Sequence, residues 1–156
     1  MKKLLLLTLV CLGMYTMLRA QNREQIGIVK VDSMPAVQAS GPHFTGDVRA
    51  NYKIPGGHPA NISGGIITFN PGGRTVWHSH PKGQRIIILQ DVGWVQQWEG
   101  AKVEVRPGDV IWIPPDVKHW HGATANTGMS YYAYVEIDNG KIVENMEAVT
   151  DSQYYN

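Results

Sequence analysis

Downstream of residue 20 no stretch keeps a helical period of apolar positions. Short β-branched and aromatic runs alternate instead with Gly, Pro and Asn punctuation, which predicts an all-β barrel or sandwich. Candidate strands cover residues 44–50, 64–70, 75–80, 84–90, 93–98, 102–105, 109–113, 118–121 and 130–137. Such a series of brief, turn-linked strands suits a closed, double-layered barrel. Residues 21–42 are less patterned and read as an arm that lies along the body or reaches a neighbour, and 53–57, with Pro55 and two glycines, as a loop. Residues 142–149 suit either a short helix or an edge strand. The tight reversal Arg106-Pro107-Gly108-Asp109 delivers the strand 109–113, and Pro114-Pro115 then stops it.

The first twenty residues carry a different pattern. Lys2 and Lys3 precede an apolar run over residues 4–17, and Leu18-Arg19-Ala20 ends in a small residue, the layout of an export signal cleaved after Ala20. The run is interrupted by Thr8, Gly13, Tyr15 and Thr16 and falls short of the ~20 residues of a membrane-spanning helix. Cys11 is the only cysteine, and the Thr8-Leu9-Val10 before it lacks the small residue expected of a lipidation site. The expected organisation is therefore a signal over 1–20, an arm over 21–42 and one β-domain over 43–156, in the periplasm or secreted. Losing Lys2, Lys3 and Arg19 leaves 11 basic against 13 acidic residues, so the formal charge passes from +1 to −2. That balance gives no reason to expect nucleic acid or a charged membrane surface as partner, and a thiol-free mature chain excludes a cysteine nucleophile or ligand.

His78, His80, Gln84 and His119 look like the ligands of one metal ion. Three neutral imidazoles can fill a transition-metal site and leave positions open for a substrate oxygen, the condition for Lewis-acid or oxygen chemistry. Residues two apart on a strand share a face, so His78 points with His80, and His119 with His121; Gln84 shares a side with Ile86 and Ile88. A histidine pair alone is weak evidence, since a core histidine satisfied by a hydrogen bond is commoner than a ligand. His121 reads either as an imidazole behind the ligands or against substrate, or as a rim histidine bonded to backbone. His43 and His58, in Pro- and Gly-rich loops, read as solvent-exposed, and Trp77, Trp112 and Trp120 as packing residues, with one of them lining a pocket as the alternative.

The second segment changes the weight of the first. Gly72, five residues, His78-x-His80, three residues and Gln84, followed by Gly108, five residues, Pro114, four residues and His119, resembles the two motifs of the cupin family. Departures are Gln84 where many cupins have glutamate, Asp116 for a usual glycine, Ala123 for a closing asparagine, and a late Gly93. Glutamine in place of glutamate removes a negative charge and keeps a bound ion more electrophilic. Stretches such as Phe44-Thr45-Gly46-Asp47-Val48-Arg49, Asn70-Pro71-Gly72-Gly73-Arg74-Thr75-Val76-Trp77-His78-Ser79-His80-Pro81-Lys82-Gly83-Gln84 and Lys118-His119-Trp120-His121-Gly122-Ala123 resemble a narrower group, the small (R)-mandelonitrile lyase-like cupins. The resemblance implies a single double-stranded β-helix, or jelly-roll barrel. It also implies a three-histidine, one-glutamine centre, with Mn(II) favoured over Fe(II), Ni(II), Co(II) or Zn(II), and a homo-oligomer, dimer or tetramer, built through barrel edges.

In that group a histidine and a glutamine on the last barrel strand handle the proton and cyanide; the matching positions here hold Tyr131 and Val135. Tyr131 and His121 are thus the candidate catalytic residues, since a divalent cation nearby lowers a phenol from its usual pKa near ~10. Gly65, Ile67, Val135 and Trp120 are the candidate pocket walls. The leading expectation is a metal-dependent lyase acting on a small hydroxylated or carbonyl compound. A mononuclear Fe(II) dioxygenase and a non-catalytic cupin that binds a metal or small molecule are the alternatives.

Overall fold

The structure is a computed structural model that describes residues 26–30, 33, 35–39, 41–54 and 60–156. The expected export signal at 1–20, Cys11, residues 21–25 of the arm, loop residues 55–57 and His58 lie outside the described residues. Among the described residues there are thirteen strands and one short helix, arranged as two antiparallel sheets curled around a common core. No described helix is long and apolar enough to cross a membrane.

The six-stranded sheet runs in the order β1 (Val37–Gln38), β3 (Val48–Ile54), β4 (Ile62–Phe69), β12 (Met129–Glu136), β7 (Gln84–Asp91) and β10 (Val110–Ile113). The other sheet holds β13 (Glu144–Asn145), β6 (His78–Ser79), β11 (His119–Ala123), β5 (Arg74–Thr75) and β2 (Phe44–Thr45). There β8 (Gly93–Gln97) joins β11 and carries β9 (Lys102–Val105) on its far side. The period of two decides what lies inside. Ile86 and Ile88 of β7, Ile67 and Phe69 of β4, and Tyr131 and Ala133 of β12 are buried between the sheets with Val48, Ile113 and Met129.

Several boundaries differ from those predicted, each for a local reason. The single strand expected over 44–50 is two, because Gly46, at φ 81°, turns a corner that moves the chain from one sheet to the other. The strand expected over 75–80 breaks at Val76 and Trp77, whose amides bond out of line to the carbonyls of His43 and Glu147. Within the arm, β1 pairs with β3, Val37 opposite Ala50, so this part of the segment closes an edge of the sheet.

Residues 142–149 contribute only the two-residue edge strand β13, and the helix lies just beyond, as α1 (Asp151–Tyr155). Thr150 caps it in a reciprocal capping box with Gln153. Helix α1 closes a second cluster in which Tyr154 and Val149 pack on Trp77 and Trp120. Arg74, 5% exposed, holds this cap from below. Its guanidinium donates to Asp151 at 2.8 Å and to the Val149 carbonyl at 3.1 Å, and lies 4.4 Å above the Tyr154 ring.

Candidate metal centre

Strand pairing brings the ligand candidates together. β6 and β11 run antiparallel with His119 directly opposite His78, so the two rings meet at 4.1 Å between centroids. His80 follows two residues after His78 on the same face, 5.1 Å away. Gln84 opens β7 opposite Ile113, after a corner that only glycine fits: Gly83 has φ +74°, and a Cβ there would lie 2.5 Å from both the Ile113 carbonyl oxygen and the Trp112 ring.

Hydrogen bonds set which nitrogen of each ring faces inward. The Nδ1 of His78, His80 and His119 lies 2.9, 2.6 and 2.8 Å from the backbone oxygens of Val76, Ile142 and Val117. A carbonyl only accepts, so each Nδ1 carries the proton and each Nε2 keeps its lone pair. One ligand nitrogen from each ring falls within 4.8 Å of the others, all three residues being buried. His80 Nε2 is buried without a hydrogen-bond partner, and His119 Nε2 faces Gln84 Oε1 at 3.3 Å, lone pair toward lone pair as the amide is oriented. Buried acceptors converging in this way are costly unless a cation lies among them, and imidazole with an amide oxygen is a donor set that suits a divalent transition metal. The residues fit the metal that the sequence pattern implies.

Burial reinforces the same protonation state. Desolvation first, and then repulsion from His119 and His80, holds His78 well below the usual imidazole range; desolvation likewise lowers His80, and takes His119 to about 4. His121 is also held well below its ordinary value, by burial and then by His78, His119 and His80. All four are neutral near pH 7, as ligation requires of the three that converge.

His121 is 3% exposed, so it is no rim histidine. Its Nδ1 lies 3.2 Å from the Tyr131 hydroxyl and its Nε2 3.2 Å from Gln84 Oε1, while its amide donates to Thr75 Oγ1. A cavity of about 210 Å³ opens beside this group, its lining including His78, His80, Gln84, His121 and Tyr131. Gly65, Ile67 and Val135 line its walls, as strand parity anticipates.

Trp120 does not line the cavity. It is flanked by His119 and His121, so alternation turns it to the opposite face of β11, where it is wholly buried against Tyr154 and donates from Nε1 to Gln96 at 2.7 Å. His43, read as solvent-exposed, is exposed and also borders the cavity, with Phe44, Ile142 and Val143. The sheet-switching corner at Gly46 and the docking of the C-terminal segment place these residues, and neither leaves a periodic mark in the sequence.

Comparison with known proteins agrees with this geometry. The family described as Cupin domain matches residues 65–135. The (R)-mandelonitrile lyase of Granulicella tundricola is 44% identical over 127 residues, which cover 81% of this chain and 97% of that one. Among solved structures, a cupin-like protein from Thermotoga maritima superposes with a TM-score of 0.74 at 29% identity, covering 81% of this chain and 95% of its own. The polyketide cyclase RemF from Streptomyces resistomycificus gives 0.66 at 18% identity, over 83% and 91%, a likeness of fold alone. With its barrel, its paired motifs and its converging imidazoles, the chain belongs to the cupin family, within the (R)-mandelonitrile lyase-like group.

Proposed function

We propose that this protein is an exported, metal-dependent lyase that cleaves a small hydroxylated compound of the cyanohydrin type to a carbonyl compound and a small acid. The observation that carries the reading is the Tyr131–His121 pair, 3.2 Å apart, on the lining of the cavity that His78, His80 and Gln84 also border. The relative named (R)-mandelonitrile lyase supports the substrate type.

His78, His80, Gln84 and His119 would hold a divalent ion, with Mn(II) the expected occupant, which would supply the Lewis acidity to polarise a substrate oxygen. The chain's own groups move the proton. His121 Nδ1 accepts the Tyr131 hydroxyl, which puts the imidazole proton on Nε2, facing Gln84 Oε1. Tyr131 takes the proton of the substrate hydroxyl as it passes its own to His121 Nδ1. The carbon–carbon bond to the leaving group then breaks, its electron pair leaves with the anion, and the imidazolium returns the proton to that anion through Tyr131. Val135, Ile67 and Gly65 bear no proton-transfer group and shape the apolar part of the cavity.

The test is turnover of a panel of aromatic and aliphatic cyanohydrins, with and without oxygen, by protein purified without a metal-affinity step and characterised by elemental analysis. Anaerobic cleavage is expected, together with a loss of about a hundredfold or more in kcat for Tyr131→Phe at unchanged metal content. A strict oxygen requirement would replace the lyase with an Fe(II) dioxygenase. Retained metal with no turnover across the panel would make the protein a binding cupin.

A further inference from the structure

The turn that joins β8 to β9 carries an aromatic residue where a polar one is usual. The Gly100 amide closes it by donating to the Gln97 carbonyl at 2.9 Å, and Trp98 stands at its first corner, 37% exposed. The ring is held in place. Trp98 meets Trp77 edge to face at 4.9 Å, Trp77 meets Trp120 at 6.5 Å, and both of these inner rings are buried. Beside the stack, between the end of β8 and α1, lies a hollow of about 310 Å³, lined by Trp98, Gln96, Glu99, Gln153 and Asn156 among others. It shares no lining residue with the cavity beside the metal centre. Its size suits one small ring, at the lower end of the ~300–1,000 Å³ of ligand sites.

Neighbouring hydrogen bonds decide what its polar rim can offer. Gln153 Oε1 is taken by Trp77 Nε1 and by the amide and hydroxyl of Thr150, which leaves Nε2 as a donor. Asn156 donates from Nδ2 to Ser152 Oγ and keeps Oδ1 as an acceptor. The Glu99 carboxylate has no hydrogen-bond or ion-pair partner among the described residues. Charge then narrows the ligand. The Lys118 ammonium, paired with Glu147, lies 3.4 Å from the centre of the Trp98 ring, so a second cation on that ring is repelled. An anion meets Glu99 and finds no basic residue on the lining. The remaining class is an uncharged molecule with an apolar face for the indole and hydroxyls for the amides and the carboxylate. We propose that this hollow binds a neutral sugar through a single pyranose ring, its C–H face on Trp98 and its hydroxyls toward Gln153 Nε2, Asn156 Oδ1 and Glu99.

The experiment is titration of the isotope-labelled protein with the methyl glycosides of glucose, galactose, mannose and N-acetylglucosamine, followed by the indole N–H resonances. At least one should bind with a Kd on the order of a few millimolar, as a ligand of about twelve non-hydrogen atoms permits. Chelator-treated protein should bind equally well, so the outcome is independent of the lyase reading. Trp98→Ala should weaken binding at least about tenfold. Glu99→Asn, which suits the φ of 60° there and withdraws the carboxylate, should weaken it about five- to tenfold, and carries the test if Trp98→Ala does not fold. Trp112→Ala, at an exposed tryptophan of the other sheet, should change nothing. No binding of any of the four glycosides at about 50 mM overturns the proposal. So does a folded Trp98→Ala or Glu99→Asn variant that binds as the wild type does, or a Trp112→Ala variant that loses binding equally. Choline or glucose 6-phosphate binding tighter than every glycoside overturns the uncharged class, and cellobiose binding more than about tenfold tighter overturns the single ring.

Discussion

His80 donates its Nδ1 proton to the backbone carbonyl of Ile142 across 2.6 Å, tying a ligand of the barrel to a segment 62 residues further along the chain. Ile142 also lines the cavity, and the neighbouring β13 pairs Asn145 with His78. The segment that forms a cavity wall is thus the one that orients His80 and pairs with the backbone of His78.

This link predicts that metal affinity depends on residues that never touch the ion. Insertion of one glycine between Lys141 and Ile142 moves the carbonyl off His80 without altering any ligand. Affinity for Mn(II) should fall about 10- to 100-fold, the usual cost of losing the group that orients a metal-binding histidine. Competitive titration against a fluorescent chelator measures it.

Gln84→Glu should change affinity and turnover in opposite directions. A carboxylate beside His119 and His121 neutralises part of the ion's charge, so metal binding tightens by roughly tenfold or more while electrophilicity, and with it kcat, falls. Isothermal titration and steady-state rates on the loaded variant check both halves. An equal or higher kcat would show that the uncharged donor set is not what sets the rate.

The metal-free protein should lose stability as pH falls. His119 has a folded pKa of about 4 against the ordinary 6.5, so between those values the unfolded chain binds the extra proton. Stability is therefore full above about pH 6.5 and is lost progressively toward pH 4, by on the order of 3 kcal/mol from this residue. His78 and His121, lowered for the same reason of burial, steepen the slope in the same direction. Chelator-treated protein unfolded by urea at pH 7.5, 6.0 and 5.0 tests this, and loading with Mn(II) at 100 times its dissociation constant should add about 2.7 kcal/mol at pH 7.5.

Arg74 and Asp151 should prove unequal partners. Arg74 is buried and holds the Val149 carbonyl and the Tyr154 ring as well as Asp151, whose side chain is 82% exposed. Arg74→Ala should cost about 2–4 kcal/mol by leaving that carbonyl unbonded and the second cluster loose. Asp151→Asn should cost under about 1 kcal/mol, as for exposed ion pairs generally. Thermal unfolding of both variants gives the comparison.

What was legible in the sequence followed period and spacing. The alternation along β12 placed Tyr131, Ala133 and Val135 on one face, and the two motifs placed the imidazoles, because both depend on residues close together in the chain. Trp120 was misplaced among the pocket walls although the alternation that puts His119 and His121 on one face turns it to the other; what the sequence does not show is the surface that buries it, Tyr154 on α1, 34 positions away. The capping box of Thr150 and Gln153 was present as a local signal and marks α1. His43 is exposed, as its loop composition indicates, and what that composition does not show is that it also borders the cavity.

The Ile142 carbonyl also orders events in time. All four candidate ligands are synthesised by residue 119, yet the acceptor for His80 and the wall beside it come with residues 142–145, beyond β12 in the chain. A chain can hold every imidazole, with His78 and His119 already tied to the nearby carbonyls of Val76 and Val117, and still lack the acceptor that points His80 inward. The complete ligand arrangement therefore waits on the last segment to dock rather than on the last ligand to be made.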